Sequence, residues 1–425
     1  MKGIALFFAS KLHEEERYKK PLNVMVKAVS PFSDGIYIFR KVLKSREEVE
    51  EALQELTFKP RFAVFFALTG GVSRLIREAA NLIDGPKLLV GYEGNNSFPS
   101  VLSAFYKLKK SGQKVVLHFM EAGNREGKGE LEKDLMLCRG LAALAEEKLL
   151  ILAKRLNVEQ LRKIWLFTRN LGVKVVVKGL SELARTFSEV DEREVSSYLT
   201  KISNMFVFSQ KEDEGLRKAV KLYLSLRKLL NDEHATSVTL ECFDLLKELG
   251  VTPCLAYSLL IGEGVTAGCE LDLDSTATML LLQKTLEQPV FMANINAIDT
   301  ERNTITLSHC TAAFNLSRRK PELLPHFESG LPLSVRVYLR EGRVTLAKLT
   351  LSRRKTTLTV ITGELEKSGA ISNVMCRTQA IVKTDKPVKK LLHWLPGNHL
   401  VLVYGDHTET LRKLAVAVKA QLSPP

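Results

Sequence analysis

The chain has 425 residues, 45% of them hydrophobic and 26% charged, a balance that excludes a disordered or fibrous protein and fits two to four globular domains. Its longest apolar stretches, such as Phe62–Leu68, fall far short of the ~20 residues that a membrane-spanning helix needs. The 62 Lys and Arg outnumber the 48 Asp and Glu for a net charge of +14, but the excess is spread over short runs without a basic tail or interleaved aromatics, which reads as solvated faces; RNA or anion binding is the lesser reading.

In chain order, the first elements alternate. Ile4–Ala9, Phe62–Leu68, Lys87–Val90 and Val115–Phe119 are short apolar runs suited to buried strands. Helical periods lie between them at Arg46–Leu56, Val72–Leu82 and Pro99–Lys110. The amino terminus superficially resembles a signal peptide, but its apolar part is too short and Lys11, His13 and Glu14 follow at once, so a first strand is expected. A second α/β run follows: strands at Leu149–Leu152 and Val173–Val177, helices at Val158–Leu171, Ser181–Ser188, Asp191–Ile202 and Glu212–Leu230, then a strand at Ser237–Leu240 and a helix at Cys242–Leu249 ended by Gly250. Such alternation predicts parallel sheets with helices on both faces. From about residue 290 the runs Leu333–Leu339, Arg343–Leu351 and Thr356–Thr362 predict an antiparallel, β-rich domain, and Thr410–Gln421 a final amphipathic helix. The expected organisation is an α/β fold with domains over 1–145, 146–290 and 291–425.

Six cysteines, Cys138, Cys242, Cys254, Cys269, Cys310 and Cys376, form no C-x-x-C pair. Neither a zinc ribbon nor a redox motif is visible, and the scatter fits free thiols in a reducing cytoplasm. Between Gly268 and Phe314 the chemistry is densest. Cys269-Glu270-Leu271-Asp272 precedes a helix expected to start near Asp274 or Ser275. On a strand, Glu270 and Asp272 share a face, and two close carboxylates call for a cation, with a hard divalent metal a natural partner; a solvated strand end with one capping acid is the plainer alternative. Pro289–Asn294 reads as a strand with an amide at its end, and His309 lies on the face of Ile305 and Leu307, where a core role is the default.

The order of five motifs carries more than any one of them: Cys269-Glu270-Leu271-Asp272, His309-Cys310-Thr311, His326-Phe327-Glu328-Ser329-Gly330, Cys376-Arg377-Thr378-Gln379, and Gly397-Asn398-His399 with Tyr404-Gly405-Asp406. In this order they resemble the L-fucose isomerase-like proteins of the fucose/arabinose isomerase family, over roughly Ser237–Asp406. Thr69-Gly70-Gly71 and Asn95-Asn96-Ser97-Phe98-Pro99 are similar to family features more loosely. The resemblance implies two Rossmann-like α/β domains followed by a β-rich carboxyl-terminal domain, a homo-oligomer with sites near subunit contacts, a divalent metal such as Mn²⁺, and aldose–ketose isomerisation of a pentose, hexose or deoxysugar through an ene-diol. It implies Glu270 as metal ligand and acid/base group, with Asp272 as a further catalytic acid. Asn294 and His399 are the remaining implied metal ligands, and His309, His326, Glu328, Arg377 and Gln379 are implied substrate groups. Asn294 departs from the family, which carries a metal-binding aspartate there; an amide ligates weakly and cannot act as a base. Leu271 replaces a small or polar residue. A sugar-binding protein without turnover is the alternative that Asn294 supports.

Overall fold

The computed structural model describes residues 2–121, 127–208 and 214–424. They divide into two units, one of residues 1–143 with 284–286 and 409–419, the other of residues 144–283, 287–408 and 420–425.

The first unit carries five parallel strands, β1 Gly3–Phe8, β2 Ile36–Leu43, β3 Ala63–Ala67, β4 Lys87–Tyr92 and β5 Val115–Met120, in the order β2-β1-β3-β4-β5. Every residue of β1 and β3 is buried, which is why these strands read as unbroken apolar runs instead of alternating ones. Helices at Ser73–Leu82 and Ser97–Lys110 match two of the expected helical periods. Strand order reverses between β1 and β3, the position where open α/β sheets leave a crevice at their carboxyl ends. Thr69-Gly70-Gly71 sits there: Thr69 Oγ1 accepts from the Ser10 amide at 2.8 Å, and Gly71 takes φ +80°.

The second unit begins with β6 Lys148–Leu152, β7 Lys174–Lys178, β8 Val207–Phe208, β9 Ser237–Leu240 and β10 Thr266–Gly268. Four of them form a parallel sheet ordered β10-β9-β6-β7. Helices at Val158–Leu171, Leu180–Glu189, Glu192–Met205, Glu214–Asp232 and Cys242–Leu249 fall close to the expected ones; the beginning of the expected Glu212–Leu230 helix lies outside the described residues. Asn157 and Gln160 form a reciprocal cap at Val158–Leu171, and Gly172 closes that helix in a left-handed conformation.

The rest of the unit is mainly antiparallel. Strands β11 Phe291–Asp299, β12 Thr304–His309, β13 Glu322–Leu324, β14 Ser334–Arg336, β15 Gly342–Thr350, β16 Thr357–Ser368, β17 Thr378–Thr384, β18 His399–Tyr404 and β19 Gln421–Ser423 follow in order. Six of them run β15-β18-β11-β12-β17-β16, and β15 also pairs with β16, so the sheet closes into a barrel without free edges between its members. β13 and β14 form a small sheet with β8. Three expectations shift. The strand expected at Leu333–Leu339 is paired only over Ser334–Arg336. The final helix is Thr408–Ala417, and Gln421 belongs instead to β19, which pairs parallel with β16. The strand that begins after Pro289 runs on to Asp299, so Asn294 lies within β11. No helix among the described residues is long and apolar enough to cross a membrane.

β10 delivers the chain to the helix Leu273–Leu286 through a turn with no spare room. A Cβ on Gly268 would stand 1.9 Å from Thr276 Oγ1 and 2.8 Å from Thr276 Cβ. Gly268→Ala is therefore expected to lower unfolding stability by about 1–3 kcal/mol, since the turn or the helix must shift. A urea midpoint equal to that of the parent protein would contradict this close approach.

Candidate metal centre

Glu270 and Asp272 do not share a strand face as expected. β10 ends at Gly268, and Glu270 and Leu271 both take positive φ, +58° and +51°. Two successive left-handed residues swing the chain into the helix Leu273–Leu286, whose N-cap is Asp272, ahead of the expected start near Asp274 or Ser275. Asp272 Oδ1 accepts from the Ser275 amide at 2.9 Å and Oδ2 from the Ser275 hydroxyl at 2.7 Å. Left-handed non-glycine residues are costly and collect at functional sites. Here the turn directs two neighbouring carboxylates to different atoms of one imidazole.

That imidazole is His399, the first residue of β18. Its Nδ1 lies 2.9 Å from Asp272 Oδ2 and its Nε2 lies 3.7 Å from Glu270 Oε2. An ionised carboxylate only accepts, so Nδ1 carries a proton, and Nε2, which faces Glu270, is the nitrogen that would be available for ligation. Lys348 on β15, almost wholly buried, places its ammonium 2.9 Å from the same Asp272 oxygen. Burial by itself would raise the Asp272 carboxyl, but the hydrogen bond from His399, the Lys348 charge and the Ser275 amide outweigh it and hold Asp272 far below the usual carboxylate range. Glu270 goes the other way. Burial raises it; His399 opposes, and the charges of Glu328 and Asp272 add to the rise.

His309, at the end of β12, completes the cluster. Its Nε2 is 3.7 Å from Glu270 Oε1, and its ring centroid is 5.5 Å from that of His399. Glu270, His309 and His399 each offer one ligand atom, and these lie within 4.8 Å of one another. His309 Nε2 is buried without a hydrogen-bond partner. Its Nδ1 accepts from the Cys310 amide at 2.9 Å, which places the proton of the neutral ring on Nε2; ligation through Nε2 would move that proton to Nδ1, where Thr311 Oγ1 at 3.2 Å can accept it. Burial, with His399 adding to it, pushes the imidazole down to about 4. One carboxylate and two imidazoles around an unsatisfied buried nitrogen fit a divalent transition ion.

The other expected site residues are placed differently from one another. Asn294 pairs with His399 across β11 and β18, and its Oδ1 lies 3.3 Å from Asn398 Nδ2, which donates to it. Gln379 is wholly buried and spends its amide on the backbone: its oxygen accepts from Ile371 and Ser372, and its nitrogen donates to the Ser372 and Cys376 carbonyls. It clamps the loop before β17 and has no valence left for a ligand. Arg377 Nε donates to the Pro325 carbonyl at 2.8 Å, with its guanidinium 5.9 Å from the Phe327 ring centroid. His326 is held by Ser329, and Glu328 is exposed on the same turn, near enough for its charge to act on Glu270. Sequence reasoning missed Lys348, a lysine on a β-strand with nothing in its local pattern to mark it as buried.

Comparison with known proteins gives a partial match to sugar isomerases. Residues 167–288 match the family model described as the L-arabinose isomerase central domain; the match includes Glu270 and Asp272 and stops before His309. The chain is 22% identical over 250 residues to a sulfoquinovose isomerase of Priestia aryabhattai, covering 57% of this chain and 56% of that protein. It is 21% identical over 252 residues to a sulfoquinovose isomerase of Alkalicoccus urumqiensis, with the same coverage. It is 32% identical to an L-arabinose isomerase of Thermotoga sp. (strain RQ2) over 104 residues, 24% of this chain and 21% of that protein. The matched segments thus span about half the length of the first relatives. The likeness is to sugar isomerases of the arabinose isomerase kind, the coarser half of the resemblance drawn from the motifs; these relatives do not specify fucose isomerase.

Two outcomes follow from the electrostatics. Asp272→Ala strands the Lys348 ammonium in the interior and should cost about 3–5 kcal/mol, part of which the Asp272→Ala/Lys348→Met double variant recovers; simple additivity in a double-mutant cycle would refute the coupling. His309 binds its proton less readily folded than unfolded, so stability is present above its ordinary value of 6.5 and is lost as pH falls toward about 4. Urea titrations of metal-free protein should show that loss, and His309→Asn should flatten it by about 3 kcal/mol; an unchanged slope would count against a buried, neutral His309.

Proposed function

We propose that the chain is a divalent-metal-dependent aldose–ketose isomerase, with Glu270, His309 and His399 as the protein's metal ligands. The observation that carries this reading is the convergence of one carboxylate and two imidazoles on a buried His309 nitrogen that has no partner. His309 takes the place that the motifs suggested for Asn294, whose side-chain oxygen already accepts from Asn398. The expected ion is Mn²⁺, which when bound supplies Lewis-acid stabilisation of negative charge developing on the sugar oxygens.

The chain's own residues divide the remaining work. Glu270, raised by burial, holds and releases a proton nearer neutrality than an exposed glutamate, the property needed to pass a proton between adjacent sugar carbons. Glu328 is the second carboxylate acting on the same space and the substitute for the acid that Asn294 does not provide. Asp272 stays ionised and keeps His399 in one tautomer and orientation, so it is a positioning residue and not a proton carrier. Arg377, on the loop before β17, would be the cation that meets sugar hydroxyls. The finer assignment to the L-fucose isomerase-like group, a cytoplasmic setting and a homo-oligomeric assembly belong to this same reading. A basic chain with relatives named for sulfoquinovose makes an anionic sugar a substrate class to include.

The test is solvent-deuterium incorporation at C1 or C2 of L-arabinose, L-fucose, sulfoquinovose and a wider aldose–ketose panel, with and without Mn²⁺. Metal-dependent incorporation into at least one sugar is expected. Saturable sugar binding with no incorporation across the panel would replace this reading with a sugar-binding protein that lacks turnover, which Asn294 favours. Mn²⁺ or Co²⁺ at a hundredfold excess over its dissociation constant should also stabilise the fold by about 2.7 kcal/mol. Glu270→Gln and His399→Ala should each remove most of that gain; an undiminished thermal shift in both would defeat the ligand assignment.

A further inference from the structure

Beside the Glu270 cluster lies a second convergence with different chemistry. Cys254, Cys310 and His326 each present a ligand atom, and these atoms lie within 4.8 Å of one another. Cys376 stands next to this group, close enough for its thiol to act on that of Cys310, so a third sulfur is at hand. We propose that Cys254, Cys310 and His326, with Cys376 drawn in as the closing sulfur, form a soft-metal site that takes Zn²⁺, separate from the Glu270–His309–His399 centre.

The four residues come from four segments. Cys254 is the first residue of the helix Cys254–Gly262, Cys310 directly follows β12, His326 stands in the turn after β13, and Cys376 lies in the loop before β17. Two of these placements, His326 and Cys376, are braced. Ser329 holds His326 Nδ1 through its hydroxyl at 3.0 Å. Gln379 fixes the Cys376 carbonyl at 2.9 Å. Arg377 ties the Cys376 loop to the His326 turn through the Pro325 carbonyl. Cys254 and Cys310 are buried. A tetrahedral zinc site with Zn–S of ~2.3 Å and Zn–N of ~2.0 Å needs ligand separations of ~3.5–3.8 Å, so Cys254, Cys310 and His326 would close on an ion by modest rotations while Cys376 would move in further to complete the set. A disulfide would leave one of the three sulfurs unpaired, and Cys242 and Cys269 already make a separate thiol pair with Sγ atoms 2.8 Å apart.

Donor softness distinguishes the two sites. Thiolates select zinc-like ions, whereas a carboxylate with imidazoles accepts harder ones such as Mn²⁺. Binding releases one proton from each coordinating thiol to solvent and oxidises nothing. The ion would clip the His326 turn and the Cys376 loop to the end of β12, where Cys310 adjoins His309. None of its ligands belongs to the Glu270 cluster, so the proposal stands whether or not the chain isomerises sugars.

Chelator-treated full-length protein, kept reduced, is titrated with Co²⁺ and then Zn²⁺. One equivalent of cobalt should give a thiolate-to-cobalt charge-transfer band in the near ultraviolet that zinc abolishes. The band should persist in Glu270→Gln/His399→Ala and be lost or halved in Cys310→Ser. Cys376→Ser and His326→Ala, at less buried positions, provide variants for which circular dichroism should report parent-like folding, and each should shift or weaken the band. Absence of the band in folded parent protein, a band unaltered in both of these variants, or a band lost only with Glu270 and His399 would each overturn the assignment.

Discussion

The bond between Asp272 and His399 joins two parts of the second unit that the chain separates by 127 positions. On one side it caps the helix Leu273–Leu286, which follows the parallel sheet; on the other it orients the first residue of a barrel strand. Lys348, from a third element, neutralises the same carboxylate. A buried ionic group of this kind stabilises little when compared with an apolar replacement, yet removing one member is expensive. Its effect is to specify arrangement: the imidazole stands in one tautomer, and the turn carrying Glu270 is held against it.

Two carboxylates only two positions apart are thereby given opposite properties. Asp272 is surrounded by donors and a cation and remains charged. Glu270 lies at the edge of that network, partly buried, facing His309 and His399 at 3.7 Å each without a direct hydrogen bond to either. Environments that push neighbouring acids apart are how one site obtains both a fixed charge and a mobile proton. His309, buried and uncharged near neutrality, adds a donor atom without adding repulsion.

Much of the scaffold was legible in the sequence because buried parallel strands and amphipathic helices leave strong periodic marks. The Ser237–Leu240 strand and the Cys242–Leu249 helix with its glycine stop stand where the pattern placed them. The helix Glu15–Val29 was hidden by a proline at 21 and by many charged residues, and β2 by its mixed burial. Motif order named Glu270, His399 and His309 for one pocket, with His309 as a substrate group. Periodicity puts His309 in the core, where it is, but cannot say that its outer nitrogen stands 3.7 Å from Glu270 without a hydrogen-bond partner. The Glu270–Leu271 turn was misread as strand because nothing in two ordinary side chains announces positive φ. The thiol cluster was invisible for a related reason, since its members are drawn from four segments and not from one spaced motif.

The most direct test of the central claim is a crystal structure of the protein soaked in Mn²⁺, with anomalous diffraction recorded at the manganese edge. The account predicts an anomalous peak bounded by the Glu270 carboxylate, His309 Nε2 and His399 Nε2, with Asp272 still bonded to His399 Nδ1. A fully occupied peak elsewhere, or His399 turned so that Nδ1 faces Glu270, would contradict it.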